Sequence, residues 1–122
     1  MVGNKILVID DDDDIRKGLD IRLRANRYTT AFAGDGVTAI RTARKEQPDL
    51  ILLDLGLPAG DGFHVLEQLK TNSLLAHIPV IVLSASDPEP NESRAMKAGA
   101  RAYFQKPVDD ADLLGAIASA LG

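Results

Sequence analysis

Pro48-Asp49-Leu50-Ile51-Leu52-Leu53-Asp54-Leu55-Gly56-Leu57-Pro58-Ala59-Gly60-Asp61-Gly62 is the stretch on which the reading of the fold turns. Four consecutive apolar residues, Leu50 to Leu53, fit a strand buried on both faces, as in a parallel sheet covered by helices on each side. Asp54 stands where that strand must leave the sheet. A turn signal follows at once, since Pro58 fixes one backbone angle and Gly60 and Gly62 permit unusual ones. Ligands bind beyond the carboxyl ends of strands in open α/β sheets, so a carboxylate held there is a candidate for chemistry. Asp is also a common turn former, and the stretch alone leaves both roles open for Asp54.

Outward from this stretch, apolar strands and amphipathic helices alternate. Upstream, the β-branched run Lys5 to Ile9 reads as a strand and runs directly into five aspartates, Asp10 to Asp14. Ile15, Leu19 and Leu23 then recur every four residues, which predicts a helix ending near Asn26 with Ile21 off its apolar stripe. Tyr28 to Phe32 suits an edge strand with one face partly wet, and Asp35 is read as the cap of a helix over Val37 to Glu46. Downstream, Phe63, Leu66 and Leu69 form a helical stripe with Asp61 as its N-cap, and His64 and Gln68 face water. Ile78 to Leu83 is a further buried strand, with Ser84 at its end. A proline-broken loop, Ser86 to Asn91, precedes a short helix over Glu92 to Ala98 that Gly99 closes. Arg101 to Gln105 reads as the last strand, followed by Lys106-Pro107 and a helix over Asp110 to Leu121. Aspartates in the first turn of that helix match its dipole.

Five strands alternating with five helices through short connections predict one α/β domain over residues 1–122, a doubly wound (βα)5 sandwich. Right-handed crossovers make a flavodoxin-like parallel sheet of order 2-1-3-4-5 the expected arrangement. The chain has 122 residues and no cysteine, so thiolate metal sites and disulfides are excluded, which fits a reducing compartment. With 14 Lys and Arg against 18 Asp and Glu the net charge is −4, and no basic cluster offers a footprint for direct nucleic-acid binding. No apolar run approaches a membrane span, and a cytoplasmic protein with no membrane partner is expected.

In a parallel sheet all strand C-termini share one edge. Asp10, Asp11, Asp54, Ser84 and Lys106 therefore become neighbours despite their separation in sequence. Clustered carboxylates without soft ligands suit a hard divalent cation, and Mg²⁺ keeps enough waters to leave room for a phosphoryl oxygen. Lys106 supplies a compact positive charge for a phosphate, and Ser84 a neutral donor. A carboxylate in such company is a competent nucleophile toward phosphorus. Part of the aspartate run also serves as a helix start: Asp13 and Asp14 fit the first turn, while Asp12 is ambiguous.

The segments Val8-Ile9-Asp10-Asp11, Asp54 to Gly62, Leu83-Ser84-Ala85 and Tyr103-Phe104-Gln105-Lys106-Pro107 together resemble the receiver domain of bacterial two-component response regulators. The resemblance covers essentially the whole chain. It implies that Asp54 is the phospho-acceptor and that Asp10 and Asp11, with the backbone carbonyl of Gly56, complete a Mg²⁺ site. It further implies that Ser84 is the switch hydroxyl, that Lys106 contacts the phosphoryl group, that Lys106-Pro107 is cis, and that Tyr103 changes rotamer on activation. The implied donor is a phosphohistidine of a sensor kinase or of a histidine phosphotransfer protein. The implied output is a changed surface of the fourth helix, fifth strand and fifth helix, acting on a partner or fused domain, with dimerisation on phosphorylation left open. Exposed Ile21 is a candidate kinase contact. The chain would then be a switch and not a turnover enzyme, either standing alone or as part of a longer protein.

Three other readings are weaker. A metal-dependent phosphohydrolase needs a cap or substrate pocket that this length does not supply. A pseudo-receiver should lack part of the set, and dinucleotide binding lacks a Gly-rich fingerprint after the first strand.

Overall fold

The computed structural model describes residues 3–57 and 62–122. Five strands, β1 (Lys5–Ile9), β2 (Thr29–Ala33), β3 (Leu50–Asp54), β4 (Val80–Ser84) and β5 (Ala102–Gln105), alternate with five helices. The helices are α1 (Asp13–Ala25), α2 (Gly36–Glu46), α3 (Gly62–Thr71), α4 (Asn91–Lys97) and α5 (Asp110–Leu121). All pairings are parallel and the order is β2-β1-β3-β4-β5, as the sequence led us to expect.

The four apolar residues of β3 show why helices must cover both faces. Side chains alternate along a strand, so Ile51 and Leu53 join Leu7, Ile9, Val80 and Val82 in one cluster. That cluster packs under Ala39 and Ala43 of α2, Val65, Leu66 and Leu69 of α3, and Ala95 of α4. Leu50 and Leu52 face the other way, with Ile6, Val8, Ile81 and Leu83, and meet Leu19 and Leu23 of α1 and Leu113 and Ile117 of α5. Each fully buried Leu or Ile contributes roughly 1.5–3 kcal/mol over an exposed one, so a two-sided β3 anchors both layers. Arg22 of α1 and Asp110 of α5 add an ion pair across the outer surface of the second layer.

The start of β3 is tied to the start of β1. The Asp49 N–H donates to the Lys5 carbonyl, and the Asp49 carboxylate accepts from the Lys5 N–H, both at 2.8 Å.

Several boundaries move by one or two residues. β2 begins at Thr29 because the Tyr28 N–H turns back to the Leu23 carbonyl, and β4 begins at Val80 because the Ile78 N–H closes a turn on Leu75. β5 begins at Ala102, α4 starts at Asn91 directly after Pro90, and α2 starts at Gly36. Asp35 caps α2 through the Thr38 N–H, and Gly99 after α4 has φ +108°, where glycine is favoured. Gly62 corrects the sequence reading. It is not among the described glycines with positive φ, and what it needs is space, since a Cβ there would stand 2.3 Å from the Leu55 Cα. The expected roles of Pro58, Gly60 and the Asp61 cap lie outside the described residues. No helix among the described residues is long and apolar enough to cross a membrane.

Candidate functional site

The β1 ladder extends one residue past the strand, where the Asp10 N–H donates to the Ala33 carbonyl at 3.0 Å. This holds Asp10 at the rim with only 2% of its surface exposed. Its carboxylate accepts from the Asp12 N–H at 2.9 Å and from Lys106 Nζ at 3.0 Å. Asp11 is exposed beside it. Asp12 resolves the ambiguity of the aspartate run, because it is the N-cap of α1 and accepts from the N–H groups of Asp14 and Ile15. Asp13 pairs with Arg16, and Arg16 Nη1 also donates to the Asp10 carbonyl at 2.7 Å.

Asp54 is the last residue of β3 and is 6% exposed. Its Oδ1 accepts from the Gly56 N–H at 3.0 Å and lies 3.3 Å from Lys106 Nζ. Burial pushes the Asp54 carboxyl above the usual range and the Asp10 charge pushes the same way, against the Gly56 hydrogen bond and the Lys106 ammonium. Burial alone would lower the Lys106 ammonium. The hydrogen bond to Asp10 and the charges of Asp54 and Asp10 outweigh it, so the group is held charged above its ordinary range. A Cβ at residue 56 would stand 3.5 Å from Asp54 Oδ1, so glycine there leaves that face of the carboxylate uncovered.

Ser84 ends β4, is 3% exposed, and accepts through Oγ from the Ser86 N–H at 3.2 Å. Its carbonyl accepts from the Lys106 N–H at 2.7 Å, which draws the end of β5 to the same rim. The Lys106-Pro107 peptide is cis. Tyr103 lies opposite Val82 and packs on the cluster under α3 and α4, with its hydroxyl buried and without a hydrogen-bond partner among the described residues.

One open cleft of about 380 Å³ gathers Asp10, Asp11, Asp54, Gly56, Ser84 and Lys106. Tyr103 is not part of its lining. Phe63 and Asn91 are among the lining residues that sequence reasoning did not assign to the site. Phe63 reads as one more apolar position of a helical stripe, yet it reaches the cleft with the Arg94 guanidinium 3.9 Å from its ring centre. For Asn91 the only signal is its place just after Pro90 at a helix start. Arg16, which braces Asp10, carries no sequence signal beyond its place in the first turns of α1.

Carboxylate oxygens of Asp10, Asp11 and Asp54 lie within 4.8 Å of one another. Oxygen-only donors at this spacing fit a hard cation such as Mg²⁺.

A family model described as the response regulator receiver domain matches residues 6–118. The chain belongs to that family. This receiver domain is 36% identical over 115 residues to the response regulator PleD of Caulobacter vibrioides, covering 94% of the chain and 25% of PleD. It is 38% identical over 106 residues to the alkaline phosphatase synthesis regulator PhoP of Bacillus subtilis, covering 87% of the chain and 43% of PhoP. The chain thus spans less than half the length of either relative. Among solved structures, a response regulator from Chloroflexus aurantiacus superposes with a TM-score of 0.92 at 27% identity, covering 98% of each chain. The receiver domain of a Pseudomonas aeruginosa sensor histidine kinase gives 0.89 at 27% identity, also covering 98% of each chain, and its crystal structure has a magnesium ion coordinated in the active-site cleft. The receiver domain described here is accordingly a signalling domain of two-component systems.

Proposed function

We propose that residues 1–122 form a single phospho-acceptor domain that takes a phosphoryl group from a sensor-kinase phosphohistidine, or from a histidine phosphotransfer protein, onto Asp54. The observation that carries this reading is the Lys106 ammonium between two buried carboxylates, 3.0 Å from Asp10 and 3.3 Å from Asp54. In the transfer, an Asp54 carboxylate oxygen bonds to phosphorus, the phosphorus–nitrogen bond breaks, and its electron pair leaves on the imidazole, which takes up a proton from water. Asp10, Asp11, Asp54 and the Gly56 carbonyl are the residues we assign to Mg²⁺, which when bound would offset phosphoryl and carboxylate charge. Lys106 turns from the carboxylates toward the incoming dianion as a point charge, and Ser84 donates its hydroxyl hydrogen to a phosphoryl oxygen.

Hydrolysis of the acyl phosphate then resets the domain, so one phosphoryl group per chain acts as a signal and no substrate is turned over. Movement of Ser84 toward the phosphoryl group gives Tyr103, whose hydroxyl lacks a partner among the described residues, a reason to repack. The surface of α4, β5 and α5 would carry that change to a partner or output domain in the cytoplasm.

Incubation with acetyl phosphate and Mg²⁺, read by intact mass, should add one phosphoryl group to the wild type and none to Asp54→Asn. Labelling of the variant at the wild-type rate overturns the assignment. The same assay with the cognate kinase tests Ile21, which is 69% exposed on α1 and which we assign to kinase docking. Ile21→Glu should slow transfer from the kinase and leave labelling by acetyl phosphate intact, and unchanged kinase transfer refutes that contact.

A further inference from the structure

Among the described residues a groove larger than the cleft at the strand ends lies elsewhere in the molecule. It runs between α2 and α3, has a volume of about 1190 Å³, and its lining includes Val37, Ile40, Arg41, Arg44, Lys45 and Leu74. Its shape follows from the packing beneath it. α2 meets the sheet through the small residues Ala39 and Ala43, and at Gly36 the Val65 side chain stands 3.1 Å from where a Cβ would be. The first turn of α2 is thereby drawn against α3, and the two helices bound the trough.

Two features of this trough are not needed by the fold. Val37 is 74% exposed and Leu74 is 59% exposed, two of the most exposed large apolar residues described. Arg41, Arg44 and Lys45 enter no ion pair among the described residues, and Asp35, which feels the Arg41 charge, is the single carboxylate in the described lining. Arg44 and Lys45 in the last turn of α2 favour its dipole. That role does not extend to Arg41, and it gives no account of apolar side chains left in water.

We propose that this groove docks an acidic amphipathic helix of a partner protein. Three cations against one carboxylate leave the trough positive on a chain whose net charge is −4, so an acidic segment is drawn here and repelled elsewhere. The apolar residues Val37, Ile40 and Leu74 offer what a helix buries at its i, i+3 and i+7 positions, while Arg41, Arg44 and Lys45 meet acids on its flank. The volume suits such a guest, because two turns of helix about 10 Å across displace roughly 850 Å³. A bilayer surface cannot enter a concave trough. A nucleic-acid backbone gains nothing from its apolar lining and meets a negative chain around it.

The test is a titration of the full ¹⁵N-labelled chain with a synthetic helical peptide of about three turns, carrying Leu on one face and Glu on both flanks. Amide shifts should concentrate in α2, α3 and around Leu74. The Arg41→Glu, Arg44→Glu double variant should bind about tenfold more weakly, as loss and reversal of two rim pairs implies. Val37→Ser, at an exposed position that does not challenge folding, should weaken binding without changing its salt dependence. Shifts centred on another face overturn the proposal, as does equal binding of a peptide with Lys in place of Glu. Stronger perturbation of the same residues by oligothymidylate or by phosphatidylserine vesicles than by the peptide also overturns it, assigning the trough to a nucleic acid or a membrane.

Discussion

Lys106 reaches across the rim from β5 to Asp10 at the end of β1, placing its ammonium 3.0 Å from a carboxylate that is almost wholly buried. The two residues are 96 positions apart, and their pairing holds the outer and inner strands of the sheet to one geometry.

Removing the cation therefore strands a buried charge. Lys106→Ala should destabilise the metal-free protein by about 2–3 kcal/mol, below the range for a fully buried pair because the lysine keeps some contact with water. Chemical denaturation in EDTA measures this. Saturating Mg²⁺ should narrow the gap between variant and wild type, since a cation at the carboxylates replaces the lost charge. An equal gap with and without Mg²⁺ contradicts the shared role of Asp10.

The raised Asp54 carboxyl makes stability depend on pH. Between the ordinary value of 3.8 and its higher folded value, the folded state binds more protons than the unfolded state. Stability contributed by this group is thus complete below 3.8 and is lost as pH rises through the folded value. Asp54→Asn keeps an acceptor for the Gly56 N–H and has no such loss. In EDTA its melting temperature should exceed that of the wild type at neutral pH, with the advantage vanishing below pH 3.8. A constant difference across the titration rules this out.

Two glycines should respond oppositely to alanine. At Gly62 the new Cβ would meet Leu55 backbone atoms that cannot swing aside, so Gly62→Ala should cost about 2–3 kcal/mol and slow phosphorylation by displacing the loop after Asp54. At Gly115, inside α5, no described atom beyond the helix's own adjacent backbone lies within 4 Å of the added methyl group. Gly115→Ala should stabilise the fold by about 0.5–1 kcal/mol through helix propensity. Urea midpoints of both variants decide the matter.

The strands, helices and sheet order were legible because β3 and β4 are apolar on both faces and because four of the five strands, all but β2, end in or run directly into Asp10, Asp54, Ser84 or Lys106. Asp10, Asp54, Ser84 and Lys106 could be gathered from sequence since a parallel sheet puts every strand end on one edge. What escaped depends on side chains meeting across helices. Arg16 reaching back to the Asp10 carbonyl and Arg94 settling over Phe63 are contacts that no spacing rule encodes. Strand starts were misjudged by a residue or two where a preceding turn took the backbone N–H, as at Tyr28 and Ile78.

A strand that is greasy on both sides has no preferred sliding position, because a shift by one residue merely exchanges Leu and Ile between two equally apolar layers. What such a slip would ruin is the placement of Asp54. The alignment is fixed instead at the opposite end, where Asp49 grips Lys5 by backbone and carboxylate together. Four strand residues, Leu50 to Leu53, separate the two aspartates, which stand about 17 Å apart along the chain. The first acts as the stop against which the second is gauged.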